Sequence, residues 1–284
     1  MINQTVSTHN SAWENSSFPV PKISTILVDA HVHIHHCFNL EHLLDSALSN
    51  FDQVSKRGLE FYTKILLTAD INDRAWLDQY SENKNANPKW SLIRTGENCS
   101  YKACNRDGQT IFIILGSQIV TEEGIEVLAL MTEQTFPNDL PLEITVEAIV
   151  LAGGLPVLPW GVGKWIGKRG SIIKHFLKRE HHFPVFLGDN SGRPLFWRQP
   201  TYFRYAKKKR IGILSGTDPL PLTNEHRRVG RFGFKLLGSL DEASPAKSLK
   251  QLFINSSHYI EPYGHLENPL QFIRNQVLLR LKSA

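Results

Sequence analysis

Near the N-terminus an apolar run, Ile23 to Val28, leads straight into Asp29-Ala30-His31-Val32-His33-Ile34-His35-His36. The pattern reads as a buried strand whose end carries metal-ligand chemistry, and the fold has to bring partners to that end. In an extended chain successive side chains point to opposite faces, so His31, His33 and His35 share a face with Asp29. Two imidazoles so placed can grip one divalent ion. The same spacing also suits hydrogen-bonded core or surface histidines, so this stretch alone leaves both roles open.

A chain of 284 residues can bury a large core, as one big α/β domain or two smaller ones. The formal charge of +5 is small for that length and bears on function only where basic residues cluster. Cys37, Cys99 and Cys104 form no secreted disulfide framework, so a reducing, cytoplasmic setting is expected. Cys99 and Cys104 lack a second pair at zinc-ribbon spacing and read as two ordinary thiols. No stretch approaches the ~18 continuous apolar residues of a membrane span. Met1 to Ser17 is polar and lacks the basic start and apolar block of a signal peptide, so residues 1–22 are expected to be a disordered lead-in and 23–284 a single domain.

Leucines and Ala47 recur at helical spacing from Leu40 to Phe51, and Phe61 to Thr68 is a short buried strand ending at Ala69-Asp70. A polar helix containing Trp76, Leu77 and Tyr80 and a loop from Ser81 to Pro88 are expected next. From Ser91 to Met131 the texture changes to short strands, at Ile111–Leu115, Gln118–Thr121 and Gly124–Met131, with a hairpin turn at Thr121-Glu122-Glu123-Gly124. Helices around Val146–Ala152, Ile172–Leu177 and Tyr202–Arg210 then alternate with strands at Leu155–Leu158, Phe183–Leu187 and Ile211–Leu214. Ala246–Phe253 and Asn268–Leu281 read as closing helices. Repeated βα units predict parallel strands wrapped by helices, and so many units favour a barrel, whose catalytic groups would sit at the strand C-termini. The strand ends carry His31 and His33, Asp70, Asp189-Asn190 and Gly216-Thr217-Asp218, a mixed nitrogen and oxygen set that Zn, Mn or Fe accepts.

On these motifs the chain resembles the PHP (polymerase and histidinol phosphatase) domain. Asp29-Ala30-His31-Val32-His33 matches the family's opening D-x-H-x-H, and Gly216-Thr217-Asp218 resembles its closing G-S-D-x-H. Between them Leu66 to Asp70, the run from Leu115 to Leu130 and Ala152 to Leu158 fall in order on looser motifs. The resemblance implies a distorted (β/α)7 TIM-like barrel and a metal-dependent hydrolase, a phosphoesterase. The chain also departs from the family. It has Ala69-Asp70 for Asp-His, Gln118 for the bridging Glu, Pro159-Trp160 for His-Pro and Leu220 for the last His. A Gln carries no charge to neutralise a second ion and Trp offers no usable lone pair. One divalent ion rather than three is therefore expected, on His31, His33 and Asp218 with Asp70 as a substitute ligand. Asp218 could equally act as a general base.

Gly161-Val162-Gly163-Lys164-Trp165-Ile166-Gly167-Lys168-Arg169-Gly170-Ser171 follows a strand and opens a helix. Its glycines, helix N-terminus and Lys164, Lys168 and Arg169 suit an anion, although P-loop spacing fails because Arg169 follows Lys168. The same residues resemble the G-x-x-G loop of KH RNA-binding domains, which joins two helices. Beyond Asp218, Arg227 and Arg228 could bind phosphate oxygens. Together these loops predict an anionic small-molecule substrate, with nucleic acid the lesser alternative and no membrane partner. A non-catalytic anion-binding protein is the principal rival reading. Trp160, Trp165, Phe196, Trp197 and Tyr202 lie near the same loops and could wall a pocket, stack a base or simply pack.

Overall fold

In a computed structural model of the chain, residues 23–55, 62–70, 80, 88–197, 199–256 and 259–283 are described. The expected lead-in, and most of the helix and loop expected between Trp76 and Pro88, lie outside these residues. The chain opens with β1 (Ser24–Val32), which is buried along nearly its whole length. Both of its faces are covered. Ile26, Val28 and Ala30 pack with Ile65, Leu67, Leu128, Leu130, Val157 and Leu214 in an inner cluster. Leu27 and Val32 pack on the other side against the apolar stripe of α1 (Leu40–Ser55). Helix α1 starts where Asn39 accepts the His42 N–H through its side chain, at 3.0 Å, and it buries Leu43, Leu44, Ala47 and Phe51 at helical spacing.

Two sheets follow from the remaining strands. The first contains β2 (Tyr62–Thr68), β3 (Trp90–Arg94), β4 (Ser100–Asn105), β5 (Thr110–Ile114), β11 (Gly233–Gly238) and β12 (Glu261–Tyr263), in the order β12-β11-β1-β2-β5-β4-β3. Its centre, β1-β2-β5, is parallel, and antiparallel strands extend it on both sides. The second holds β6 (Gly116–Val120), β7 (Glu126–Leu130), β8 (Leu155–Pro159), β9 (Phe186–Asn190) and β10 (Ile213–Gly216), in the order β10-β9-β8-β7-β6. Strands β8, β9 and β10 are parallel, whereas β7 runs against both of its neighbours. On the outer face of this sheet Leu158 and Leu187 pack against α2 (Leu142–Leu151), α3 (Gly167–Lys178) and α4 (Thr201–Lys208). Helices α5 (Pro245–Ser256) and α6 (Pro269–Ser283) complete the chain. Among the described residues no helix is long and apolar enough to cross a membrane.

The sheets meet at two seams. At one, Asp70 bridges Ser117 and the Gln118 N–H donates to the Ala69 carbonyl at 3.0 Å. At the other, the Asp218 N–H donates to the His31 carbonyl at 2.8 Å. Gly216 lies so close to β1 that an added Cβ would fall 2.3 Å from the His31 nitrogen. The second seam therefore sets the ends of β1 and β10 side by side.

Most expected elements are present, with shifted ends. β9 runs to Asn190 rather than stopping at Leu187, and β10 runs to Gly216. The expected turn joins β6 to β7, with Gly124 at φ 69° and its N–H on the Thr121 carbonyl at 2.8 Å. Strands β3, β4, β11 and β12 were not expected. They are short, partly exposed antiparallel strands without the apolar run that marks a buried parallel strand.

Gly216→Ala should destabilise the fold by about 2–3 kcal/mol or more, because the new methyl group meets strand backbone that cannot yield. Urea denaturation of the variant measures this, and an unchanged midpoint would contradict the close packing of the seam.

Candidate metal centre

The pairing register of β1 on β2 slips between Asp29 and Val32, so strict alternation fails where the motif begins. Asp29, expected on the histidine face, instead turns its fully buried carboxylate toward two loops. It accepts from the Thr217 N–H at 2.8 Å, the Thr217 hydroxyl at 2.6 Å and the Gly230 N–H at 2.8 Å. Burial pushes this carboxyl up to about 7 against the pull of those donors.

Thr217 thereby holds Asp218 opposite the histidines. His31 Nε2 and His33 Nε2 lie 3.0 Å apart, and Asp218 Oδ1 is 3.6 Å from each. A tetrahedral ion with bonds of about 2.0–2.1 Å separates neighbouring ligand atoms by about 3.3 Å, so this triangle has the right size. Its three residues are the group that could hold a metal among the described residues. Asn190 fixes the other Asp218 oxygen, donating from Nδ2 to Oδ2 at 2.9 Å and to the Trp160 carbonyl at 2.9 Å. The Asn190 Oδ1 atom is buried without a hydrogen-bond partner, which suits an ion with bound water better than an apolar filling.

Asp70, expected as a substitute ligand, stands one layer further out. One of its oxygens bonds His33 Nδ1 and the other accepts the Ile34 N–H. A carboxylate there fixes the ring and directs Nε2 into the triangle. Burial pushes His33 down, but the Asp70 bond and the Asp218 charge outweigh it and lift the imidazole to about 9. His31 goes the other way, because its burial outweighs the attraction of Asp218. Burial would raise Asp218 as well, yet His31, His33, Lys164 and Arg228 together hold its carboxyl below the ordinary range. His35 is outside the triangle, bonding the Pro219 carbonyl at 2.9 Å while its ring stacks on His33.

The expected anion-binding residues are scattered in role. Lys164 forms an ion pair with Glu126, and its charge also reaches Asp218. Glu126 went unnoticed in the sequence although its charge reaches both histidines. The signal was available, because Glu126 alternates with the inner-facing Leu128 and Leu130 on β7. Lys168 is exposed in the first turn of α3. Arg169 braces two loops instead, donating to the carbonyls of Gly124 at 3.4 Å and Gly163 at 3.2 Å. Arg227 is exposed, whereas Arg228 is occupied by Glu225 at 3.0 Å, Glu267 at 3.2 Å and the Ser191 hydroxyl at 2.7 Å. Asp189 is likewise taken, by a two-pronged pair with Arg193 at 2.8 and 2.7 Å. The KH reading fails on its setting. Gly167 to Gly170 form the first turn of α3, and what precedes them is β8 and a turn, so no two helices are joined there.

The chain matches no protein-family model. No curated protein matches it either. Among solved structures, PsfC from Pseudomonas syringae PB-5123 superposes with a TM-score of 0.55 at 14% identity, covering 92% of this chain and 99% of that one. Endonuclease Q in complex with a 27-mer duplex substrate with an abasic lesion gives 0.46 at 13% identity, over 81% of this chain and 57% of that one. The lesion-specific endonuclease PfuEndoQ from Pyrococcus furiosus gives 0.46 at 14%, over 81% and 56%. The likeness to PsfC extends to the fold alone, and the weaker likeness to Endonuclease Q establishes neither fold nor activity.

A metal takes only unprotonated imidazole, so zinc affinity should rise with pH until His33 is deprotonated near 9. Zinc titrations between pH 6 and 9 test this, and a flat profile would contradict the Asp70 pairing. Asp70→Asn should weaken zinc binding by about 10–100-fold, and His33→Ala should abolish it.

Proposed function

We propose that the chain is a metal-dependent hydrolase of the PHP type, a phosphoesterase acting on an anionic substrate. In this reading β1, β2 and β6 to β10 are the staves of a distorted (β/α)7 barrel closed at the two seams, with the metal centre at its C-terminal rim. The observation that carries the proposal is the triangle of His31 Nε2, His33 Nε2 and Asp218 Oδ1, with sides of 3.0 and 3.6 Å. Imidazole with carboxylate suits Zn, Mn or Fe. One ion fits better than three, because Gln118 brings no charge and the Trp160 ring packs into the outer cluster.

A divalent ion held there would polarise a phosphoryl or carbonyl oxygen and lower the pKa of bound water toward about 7. The chain's own residues prepare the site around it. Asp70 orients His33, and Asn190 ties down Asp218 Oδ2 so that Oδ1 faces the histidines. With both oxygens engaged, Asp218 serves as a ligand and not as the general base. Lys164, shared with Glu126, has a charge that reaches Asp218 and would meet the substrate's charge, and the exposed Arg227 would offer a second cation.

The alternative is a non-catalytic anion-binding protein, and one observation weighs against it. Lys164 and Arg228 already face carboxylates, so the rim is more nearly neutral than an anion trap requires. The two readings separate in one experiment. Protein purified with zinc or manganese should carry metal that His31→Ala with His33→Ala removes. It should hydrolyse p-nitrophenyl phosphate in a chelator-sensitive way, and Asp218→Asn should lower that rate by about a hundredfold or more. Failure to take up supplied metal, or bound metal without turnover, overturns the hydrolase reading, and anion affinity that survives the histidine changes but falls with Arg227→Ala and Arg228→Ala supports the binding protein.

A further inference from the structure

A cavity lies beside the metal centre and not in it. Its volume is about 730 Å³, within the range of small-molecule sites. Trp160 and Trp165 are almost fully buried and form its floor, Trp197 and Tyr202 are partly buried in its walls, and Phe196 is 59% exposed at its mouth. The rings meet edge to face. Trp160 and Trp197 are 5.8 Å apart at 75°, and Trp165 and Tyr202 are 5.7 Å apart at 68°. Such pairs make corners in which a third flat ring can lie on one face and abut the other ring.

The cavity is coupled to the metal centre by short links. The Trp160 carbonyl accepts from the same Asn190 amide that holds Asp218. Lys164, whose charge reaches Asp218, lies across Gly161 in the cavity wall, so closely that a Cβ there would fall 2.5 Å from its Cδ. Gly161 thus leaves the Lys164 side chain room to lie against the backbone there. The outer lip is positive, because Lys174 and Arg204 are exposed and form no ion pair among the described residues. An aliphatic occupant would use the volume but neither the ring corners nor the charge.

We propose that this cavity is the subsite for a planar aromatic ring on an anionic ligand whose charged end lies at His31, His33 and Asp218. The inference rests on the hydrolase reading for the position of the charged end, while the ring subsite stands on its own walls. Stacking on aromatic side chains tolerates any flat ring, so a nucleotide is a suitable probe.

The test is equilibrium titration of the full chain supplied with zinc, counting only intact probe, with adenosine 5′-monophosphate and with ribose 5-phosphate. The ring-bearing probe should bind at least about tenfold more tightly, the size of one stacked base. Trp197→Ala should remove that preference, Trp197→Phe should keep most of it, and ribose 5-phosphate should bind both variants as it binds the parent. Phe196→Ala, at an exposed position, reports the same loss should Trp197→Ala fail to fold. Equal affinity for the two probes, or no binding of either, overturns the inference. A ring preference in protein that takes up no zinc sinks the hydrolase reading alone, and zinc uptake without a ring preference sinks the subsite alone.

Discussion

The buried carboxylate of Asp29 is the interaction on which the rest depends. It sits inside β1, yet its hydrogen bonds run to Thr217, just after β10, and to Gly230, just before β11. One side chain therefore joins both sheets and fixes where β10 ends relative to β1. The His31 carbonyl also accepts the Asp218 N–H, so the Asp29 bonds and this one together bring Asp218 to the histidines. The Tyr263 hydroxyl, 3.3 Å from the Gly230 carbonyl, closes the same corner, and burial together with the Asp29 charge pushes its acidity well out of the usual range. Charges are seldom buried this way unless donors surround them, and here the donors are loops that position ligands.

Around this hub the charges come in pairs. Lys164 meets Glu126, Arg228 meets Glu225 and Glu267, and Arg193 meets Asp189. Each pair uses a cation to hold a loop in place at the strand ends, and so reduces the positive potential at the rim. The strand ends thus carry little unpaired positive charge, in keeping with a net charge of only +5.

What the sequence made legible was whatever depends on a strand's end. His31, His33 and Asp218 lie at the ends of β1 and β10, and alternation with apolar runs placed those ends well. Side-chain rotation and cross-chain partners were not legible. Asp70 follows β2 as expected but meets the far nitrogen of His33, which no spacing rule could foretell. Asp29 left the histidine face because the ladder slips beside it. Arg169 and Arg228 are engaged by partners no motif announces, the Gly124 and Gly163 carbonyls for one and Glu225 and Glu267 for the other. Glu126 lies in the expected strand Gly124–Met131, and its period of two with Leu128 and Leu130 sets it on their face.

Asp218 itself has φ 48°, in the left-handed region where a side chain other than glycine's is strained. Aspartate tolerates that region better than most residues, and the strain is of order 1 kcal/mol. A glycine at this position would relax the backbone and remove the carboxylate from the triangle. Glycine would thus ease the backbone at the cost of one corner of the triangle. The left-handed backbone at Asp218 is held in place by Thr217 on one side and Asn190 on the other.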